Sequence, residues 1–284
     1  MKAQLIDGKR ISAEIKAEAA EEAAALKAKG ITPCLAVVLV GDDSASQVYV
    51  NNKKKACEAV GIRSVSHVLS GGTTEEALLE LIAKLNADKD IHGILVQMPV
   101  PKQIDERKVI LAIDPKKDVD CFHPVNVGNL HTGGEGFLPC TPAGIIELIK
   151  RSGHSIEGKQ CVVIGRSNIV GKPVAMLLMQ ENGTVTICHS RTRNLAEICR
   201  GADIIVSAVG KVNTVTADMV KEGAILIDVG MNRNEAGKLC GDVDFENVKE
   251  IAGAITPVPG GVGPMTIAML MKNCNTAAKI QNGL

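Results

Sequence analysis

The chain has 284 residues, 45% hydrophobic and 23% charged, with 32 basic residues against 32 acidic ones. That is room for two domains of a globular protein, and the even charge leaves no electrostatic footprint for nucleic acid or an anionic membrane. No apolar run reaches the length of a membrane span, and the opening Met1-Lys2-Ala3-Gln4-Leu5-Ile6-Asp7-Gly8 lacks a signal-peptide h-region, so a cytoplasmic protein is expected.

Residues 9–29 are rich in Ala, Glu and Lys, with Ile11, Ile15 and Leu26 among few large apolar positions, and predict a helix with a thin buried stripe. The run 34–40 predicts a buried strand ending at Gly41, and residues 42–46 offer N-caps for a helix reaching about Val60. On that helix Tyr49 and Lys53 stand one turn apart on one face. Tyr49 is the only tyrosine, in a chain with no tryptophan and three phenylalanines. A polar pair just after a buried strand lies at the carboxyl-end rim, where open α/β sheets bind ligands. The plainer alternative is a half-buried tyrosine beside the solvated run Lys53-Lys54-Lys55.

A strand near 63–69 follows, then a capped helix carrying Leu78, Leu79, Leu81, Ile82 and Leu85. Strand 93–96 runs into Gln97-Met98-Pro99 ahead of a helix near 104–112. Residues 114–142 are loop-rich and mark the approach to a domain boundary. A helix from Pro142 to Arg151 then leads to further strands at 161–164, 184–188, 204–208 and 224–229. Strands alternating with helices imply βαβ units and a mainly parallel sheet. The Pro/Gly crossing 255–264 precedes a last helix from Met265 to about Ile280, expected to return to the first domain. The fold class is α/β: two α/β domains flanking a cleft, the second a Rossmann-type dinucleotide-binding domain. The expected boundaries are 1–140 plus 265–284 for the first and 141–264 for the second. The nine cysteines include no C-x-x-C pair, as expected of reduced thiols acting as small hydrophobes. Neither Cys121-Phe122-His123 nor Cys188-His189 has zinc-ligand spacing, so no metal site is expected.

CVVIGRSNIVGKP (161–173) reads as strand, tight turn, helix. Gly165 lets the chain turn, Gly171 lets the helix pack closely, and the helix N-terminus offers free amides to a pyrophosphate. Ser167 replaces the second glycine of G-x-G-x-x-G, so an ordinary βα turn remains the alternative. NAD enzymes carry an acidic residue at the end of the next strand, roughly 20 residues on, to bind the ribose 2′-hydroxyl. Here that strand ends in His189-Ser190-Arg191-Thr192-Arg193. A hydroxyl and arginines suit a 2′-phosphate, and Arg166 adds a further cation. NADP is the expected cofactor.

Lys53, Gln97 and Asp120 fall where strands give way to loops. If they converge, Gln97 could accept a hydrogen bond from Lys53 without the negative charge that would hold the ammonium protonated. Such a lysine can work as acid or base. Asp120 suits a planar ligand edge with two N–H donors, such as an aminopyrimidine. For Gln97 and Asp120 singly, a structural hydrogen bond or a solvated position explains them equally well.

Longer blocks point further: YVNNKKKACEAVGI (49–62), GILVQMPVP (93–101), KDVDCFHPVNVG (117–128), GRSNIVGKP (165–173), TVTICHSRT (184–192), GAILIDVGMNR (223–233), GDVDF (241–245) and ITPVPGGVGPMTIAMLMKN (255–273). In these the chain resembles, over nearly its whole length, the bifunctional methylenetetrahydrofolate dehydrogenase/methenyltetrahydrofolate cyclohydrolase family. The resemblance implies that Lys53 is the catalytic lysine, assisted by Gln97, that Tyr49 packs on the folate and that Asp120 grips the pterin. It implies that Pro259, Gly260, Gly261 and Val262 border the folate, and that Gly165, Arg166, Ser167, Ser190, Arg191 and Met231 line the NADP site. It further implies a homodimer, with a place in one-carbon metabolism serving purine and amino-acid biosynthesis. An enzyme keeping only one of the two activities is the alternative. The family usually reads D-V-D-G-F where this chain has Cys121, which is costly if the position needs a positive φ.

Tyr-x-x-x-Lys also marks short-chain dehydrogenases, but there the glycine-rich turn opens the chain. Here Tyr49 precedes Gly165, the reverse order. An NADP-binding sensor without chemistry is disfavoured by the intact Lys53, Gln97 and Asp120.

Overall fold

The computed structural model describes residues 3–284; Met1 and Lys2, the start of the stretch read for a signal peptide, lie outside the described residues. The first elements are β1 (Gln4–Leu5), α1 (Gly8–Ala28), β2 (Cys34–Val40), α2 (Ser44–Val60), β3 (Arg63–Leu69), α3 (Glu75–Ala87), β4 (Gly93–Val96), α4 (Glu106–Ala112), α5 (Pro124–Thr132) and α6 (Cys140–Arg151). Then come β5 (Gln160–Ile164), α7 (Gly171–Gln180), β6 (Thr184–Cys188), α8 (Leu195–Arg200), β7 (Ile204–Ser207), β8 (Ile225–Asp228), β9 (Asn232–Arg233), β10 (Leu239–Cys240), α9 (Phe245–Val248), β11 (Ala254–Ile255) and α10 (Val262–Gln281). Among the described residues no helix is long and apolar enough to cross a membrane.

The chain divides into two compact units. One holds Glu14–Cys140 with Ile267–Leu284, the other Thr141–Thr266 with the segment ending at Ala13. The start of the chain therefore leaves the domain expected for it. β1 pairs in parallel with β11, Gln4 opposite Ala254 and Leu5 opposite Ile255. A two-residue strand is too short to show a period.

In the unit with Glu14–Cys140, a three-stranded parallel sheet runs β3-β2-β4. All seven residues of central β2 are buried, as an unbroken apolar run on a sheet covered on both faces demands. Asp43 caps α2 by accepting the Ser46 amide at 2.7 Å, and Gly61 ends that helix at φ +77°. Thr74 caps α3, which buries Leu78, Ile82 and Leu85 in the core of this sheet. The passage 114–142 is not all loop. It contains α5, capped by His123, opened by Pro124 and closed by Gly133 at φ +72°. Residues of α10 secure this unit: Asn275 donates to the Ala19 carbonyl and Asn273 to those of Val119 and Leu138, each at 2.8 Å. The helix begins at Val262 rather than Met265. Pro264 sits in its first turn, where a missing N–H costs no helical bond.

The other unit carries a six-stranded sheet in the order β1-β11-β8-β7-β5-β6, parallel throughout. Counted from β5 along the chain, the order is second, first, third, fourth, fifth. The direction of winding thus reverses between β5 and β7, and the crevice outside that switch point is where such sheets take ligands.

Candidate active site

Lys53 projects from α2 one turn after Tyr49, which is 41% exposed. The Lys53 ammonium donates to Gln97 Oε1 at 2.9 Å. Gln97 follows β4 directly, and its Nε2 donates to the Met98 carbonyl at 2.8 Å. That second bond turns the amide oxygen toward Lys53, so the lysine meets a neutral acceptor held in one orientation.

Asp120 lies within electrostatic reach of Lys53. Burial pushes its carboxyl up to about 6, Asp118 adds to the rise, and Lys53 pulls the other way. Asp118 builds the loop that carries Asp120. Its carboxylate accepts the amides of Phe122 (3.2 Å) and His123 (2.8 Å) and Nδ2 of Asn126 (2.8 Å). Cys121, directly after Asp120, does adopt the left-handed conformation, at φ +61°. It is buried, and its thiol donates to the Phe137 carbonyl at 3.2 Å.

In the other unit, the turn after β5 is the tight one expected of the glycines. Gly165 has φ +128°, and a Cβ there would stand 2.4 Å from the Ala208 carbonyl oxygen. A Cβ on Gly171 would stand 2.4 Å from the Gly165 oxygen. Ser167 has its own task. Its Oγ accepts the amides of Val170 and Gly171 at 3.2 Å each, fastening the start of α7. Arg166, Ser190 and Arg191 are exposed. The turn bearing the latter two is closed by the His189 amide on Thr192 Oγ1 at 2.8 Å. This is an open cationic rim beside a glycine cradle, suited to a dinucleotide with an extra phosphate.

A pocket of about 350 Å³ opens in the same unit, walled by Met231, Pro259, Gly260, Gly261 and Val262, with Lys9 at its edge. Lys9 was not foreseen. Its stem packs over Gly260, whose φ is +108°. Nor were two buried carboxylates, Asp228, which also lines the pocket, and Asp242. Asp228 ends an apolar strand, which was the available signal for it, whereas the partners of Asp242 are not marked in the residues around it. Among the described residues no group of three His, Cys, Asp or Glu could hold a metal ion.

Two family models match the chain: tetrahydrofolate dehydrogenase/cyclohydrolase, catalytic domain, over residues 6–120, and tetrahydrofolate dehydrogenase/cyclohydrolase, NAD(P)-binding domain, over residues 139–282. The bifunctional protein FolD of Acetivibrio thermocellus is 61% identical over 281 residues, 99% of this chain and of its own. Among solved structures, the bifunctional FolD methylenetetrahydrofolate dehydrogenase/cyclohydrolase of Campylobacter jejuni matches with a TM-score of 0.96 at 53% identity, covering 99% of this chain and 100% of that one. The Trypanosoma brucei N5,N10-methylenetetrahydrofolate dehydrogenase-cyclohydrolase (FolD), complexed with NADP cofactor and inhibitor, matches at 0.94 and 42% identity, covering 100% of both.

Proposed function

The chain belongs to the tetrahydrofolate dehydrogenase/cyclohydrolase family, and from that membership we propose which of its residues carry the two reactions. It is an NADP-dependent methylenetetrahydrofolate dehydrogenase and a methenyltetrahydrofolate cyclohydrolase. The first activity oxidises 5,10-methylenetetrahydrofolate to the 5,10-methenyl form; the second hydrolyses that product to 10-formyltetrahydrofolate. Both are one-carbon metabolism, for which we propose a role in purine and amino-acid biosynthesis.

The observation that carries the assignment of roles is the 2.9 Å bond from Lys53 to a neutral amide oxygen. NADP⁺, when bound, accepts a hydride from the bridging methylene carbon. The turn at Gly165, Arg166 and Ser167 is proposed to hold its pyrophosphate, and Ser190 and Arg191 its 2′-phosphate. Met231 is proposed to flank the site. Support comes from the tightness of the turn at Gly165, where a Cβ would stand 2.4 Å from the Ala208 oxygen. Hydride transfer itself asks no proton of the protein, and its requirement is orientation.

Hydrolysis does move protons. Water adds to the cationic methenyl carbon, the bond from that carbon to N5 breaks with N5 keeping the electron pair and taking up one proton, the oxygen becomes the formyl carbonyl, and the water's other proton leaves. Lys53 Nζ is the group we assign to carry it. Its bond to Gln97 Oε1 holds the amine in a fixed position for that transfer. Asp120 is proposed to take the N–H edge of the pterin and Tyr49 to pack on the folate. The wall of Pro259, Gly260, Gly261 and Val262 is proposed to receive further folate atoms.

The deciding experiment adds methylenetetrahydrofolate and NADP⁺ and follows NADPH and methenyl absorbance together. NADPH should form while the methenyl species decays. An NADPH signal with persistent methenyl absorbance would leave a dehydrogenase alone.

A homodimer is proposed as well. β3 is an edge strand with Val68 66% exposed, and unpaired strand edges invite a partner. Sedimentation would detect it. We also propose a cytoplasmic location, supported by nine free thiols, eight of them buried as small apolar residues.

A further inference from the structure

Two exposed apolar side chains stand just past the carboxyl ends of adjacent strands. Val209, beyond β7, is 39% exposed and Met231, beyond β8, is 56% exposed. Exposed loop residues of this kind are ordinarily mobile, yet here the backbone around each is pinned by a buried carboxylate.

Asp242, at 0% exposure, receives five hydrogen bonds. Its Oδ2 accepts the amides of Val209 (2.9 Å) and Gly210 (3.3 Å) and the Ser207 hydroxyl (3.1 Å). Its Oδ1 accepts the Lys211 amide and Nδ2 of Asn232, each at 2.9 Å. Asp228, at 4% exposure, accepts the amides of Gly230, Asp242 and Val243, each at 2.9 Å. Met231 is thus bracketed by a gripped amide before it and a gripped side chain after it. The two carboxylates pack so closely on the chain that the flanking glycines are compulsory. A Cβ on Gly230 would lie 2.2 Å from Asp242 Oδ1, and one on Gly241 would lie 1.9 Å from Asp228 Oδ2.

No cation is among these donors. Burying two neighbouring carboxylates without one is a costly way to fasten loops that backbone bonds alone could hold. Burial pushes Asp228 up to about 6 even though three amides act against it. Such cost is expected where loop geometry must serve a ligand. The loop that Asp242 grips starts from β7, one side of the switch-point crevice, and the Ala208 oxygen of that loop is the atom that crowds Gly165.

We propose that Asp242, itself held by Asp228, is a positioning residue for hydride transfer: it fixes Val209 and Met231 as the apolar wall against which the ring of a pyridine dinucleotide rests. The inference rests on the NADP-dependent dehydrogenase reading. Asp242 touches neither ligand. The cyclohydrolase step takes no hydride and uses Lys53, so it serves as an internal control on the same preparation.

The test compares wild type, Asp242→Asn and Asn232→Ala. The first turns an acceptor into a donor facing donors; the second removes one donor and leaves the carboxylate. NADPH formation from methylenetetrahydrofolate gives KM for NADP⁺ and kcat. Decay of methenyltetrahydrofolate without NADP⁺ gives the cyclohydrolase rate. Asp242→Asn should raise KM for NADP⁺ about ten-fold or more and lower the dehydrogenase kcat, with the cyclohydrolase within about two-fold of wild type. Asn232→Ala should shift the same KM by about three-fold in the same direction. Should Asp242→Asn not fold, Asn232→Ala alone decides. Loss of both activities in equal proportion, or an unchanged KM for NADP⁺, overturns the proposal. A wild type unable to reduce NADP⁺ would instead sink the reading beneath it.

Discussion

Asp120→Asn should make the protein more stable and a poorer enzyme. Asp120 is held at about 6 against an ordinary 3.8, chiefly by burial, and the attraction of Lys53 is already inside that net rise. At about 1.4 kcal/mol for each pH unit, the ionised carboxylate costs the native state about 3 kcal/mol. Because Asp120 keeps partial exposure, solvent screening lowers this to about 1–3 kcal/mol. Between pH 3.8 and about 6 the native state holds a proton that the unfolded chain has lost. Stability therefore falls as pH rises through that window, and the full cost is present above it. Asparagine has no charge to bury and escapes the cost. Urea unfolding of both proteins, followed by circular dichroism, should show Asp120→Asn ahead by about 1–3 kcal/mol at pH 7.5, with most of the gap closed by about pH 4.5. Asp228 contributes with the same sign, but equally in both proteins. Folate-analogue affinity should meanwhile fall about ten-fold, as loss of a charge-assisted contact implies, while NADP⁺ affinity holds. A mutant less stable than wild type at pH 7.5, or a gap unchanged at pH 4.5, would refute the reasoning.

Lys53→Met should cut the cyclohydrolase by about 10²–10⁴-fold, the usual worth of a general acid–base group, while hydride transfer stays measurable; full cyclohydrolase activity would remove Lys53 from its role. Ser190→Asp with Arg191→Ala should penalise NADP⁺ far more than NAD⁺, because a carboxylate would face the 2′-phosphate. An unchanged ratio of the two kcat/KM values would place that phosphate elsewhere. At Cys121 the usual order of core truncations should invert, with Cys121→Gly costing less than Cys121→Ala by about 1 kcal/mol, since only glycine relieves the left-handed backbone. Denaturation midpoints read this directly, and alanine proving the better tolerated would mean that the turn relaxes.

What the sequence disclosed depended on length and period. β2, seven consecutive apolar residues, and α3, with its Thr74 cap and apolar stripe, announce themselves. The turn at Gly165 is legible because its glycines answer to local sterics. β1 and β11 are two residues each, and their pairing joins positions some 250 residues apart in the chain. No local pattern encodes such a partnership. α5 hid inside a passage dense in Gly and Pro, although His123, Pro124 and Gly133 are its cap, first residue and stop. Those signals are decisive once the boundaries are known and ambiguous before.

The chemistry divides along the same line. Gln97 was visible as a polar residue at the end of an apolar strand, a place that needs a reason, and Lys53 because it stands one helical turn after the only tyrosine. Asp242 gave no such sign. Its five donors come from Ser207 at the end of β7, Val209, Gly210 and Lys211 in the loop after it, and Asn232 in β9. Four of the donors are set by where the chain passes or by a small hydroxyl, and neither backbone amides nor a serine mark a partner in a sequence. A buried carboxylate satisfied by main chain is therefore silent until the fold exists. Lys53, satisfied by the side chain of Gln97, shows both ends of its bond. Residues that shape a site through the backbone will for this reason be missed more often than residues that touch the ligand, and here the one proposed for hydride transfer was hidden while the legible pair is the one proposed for hydrolysis.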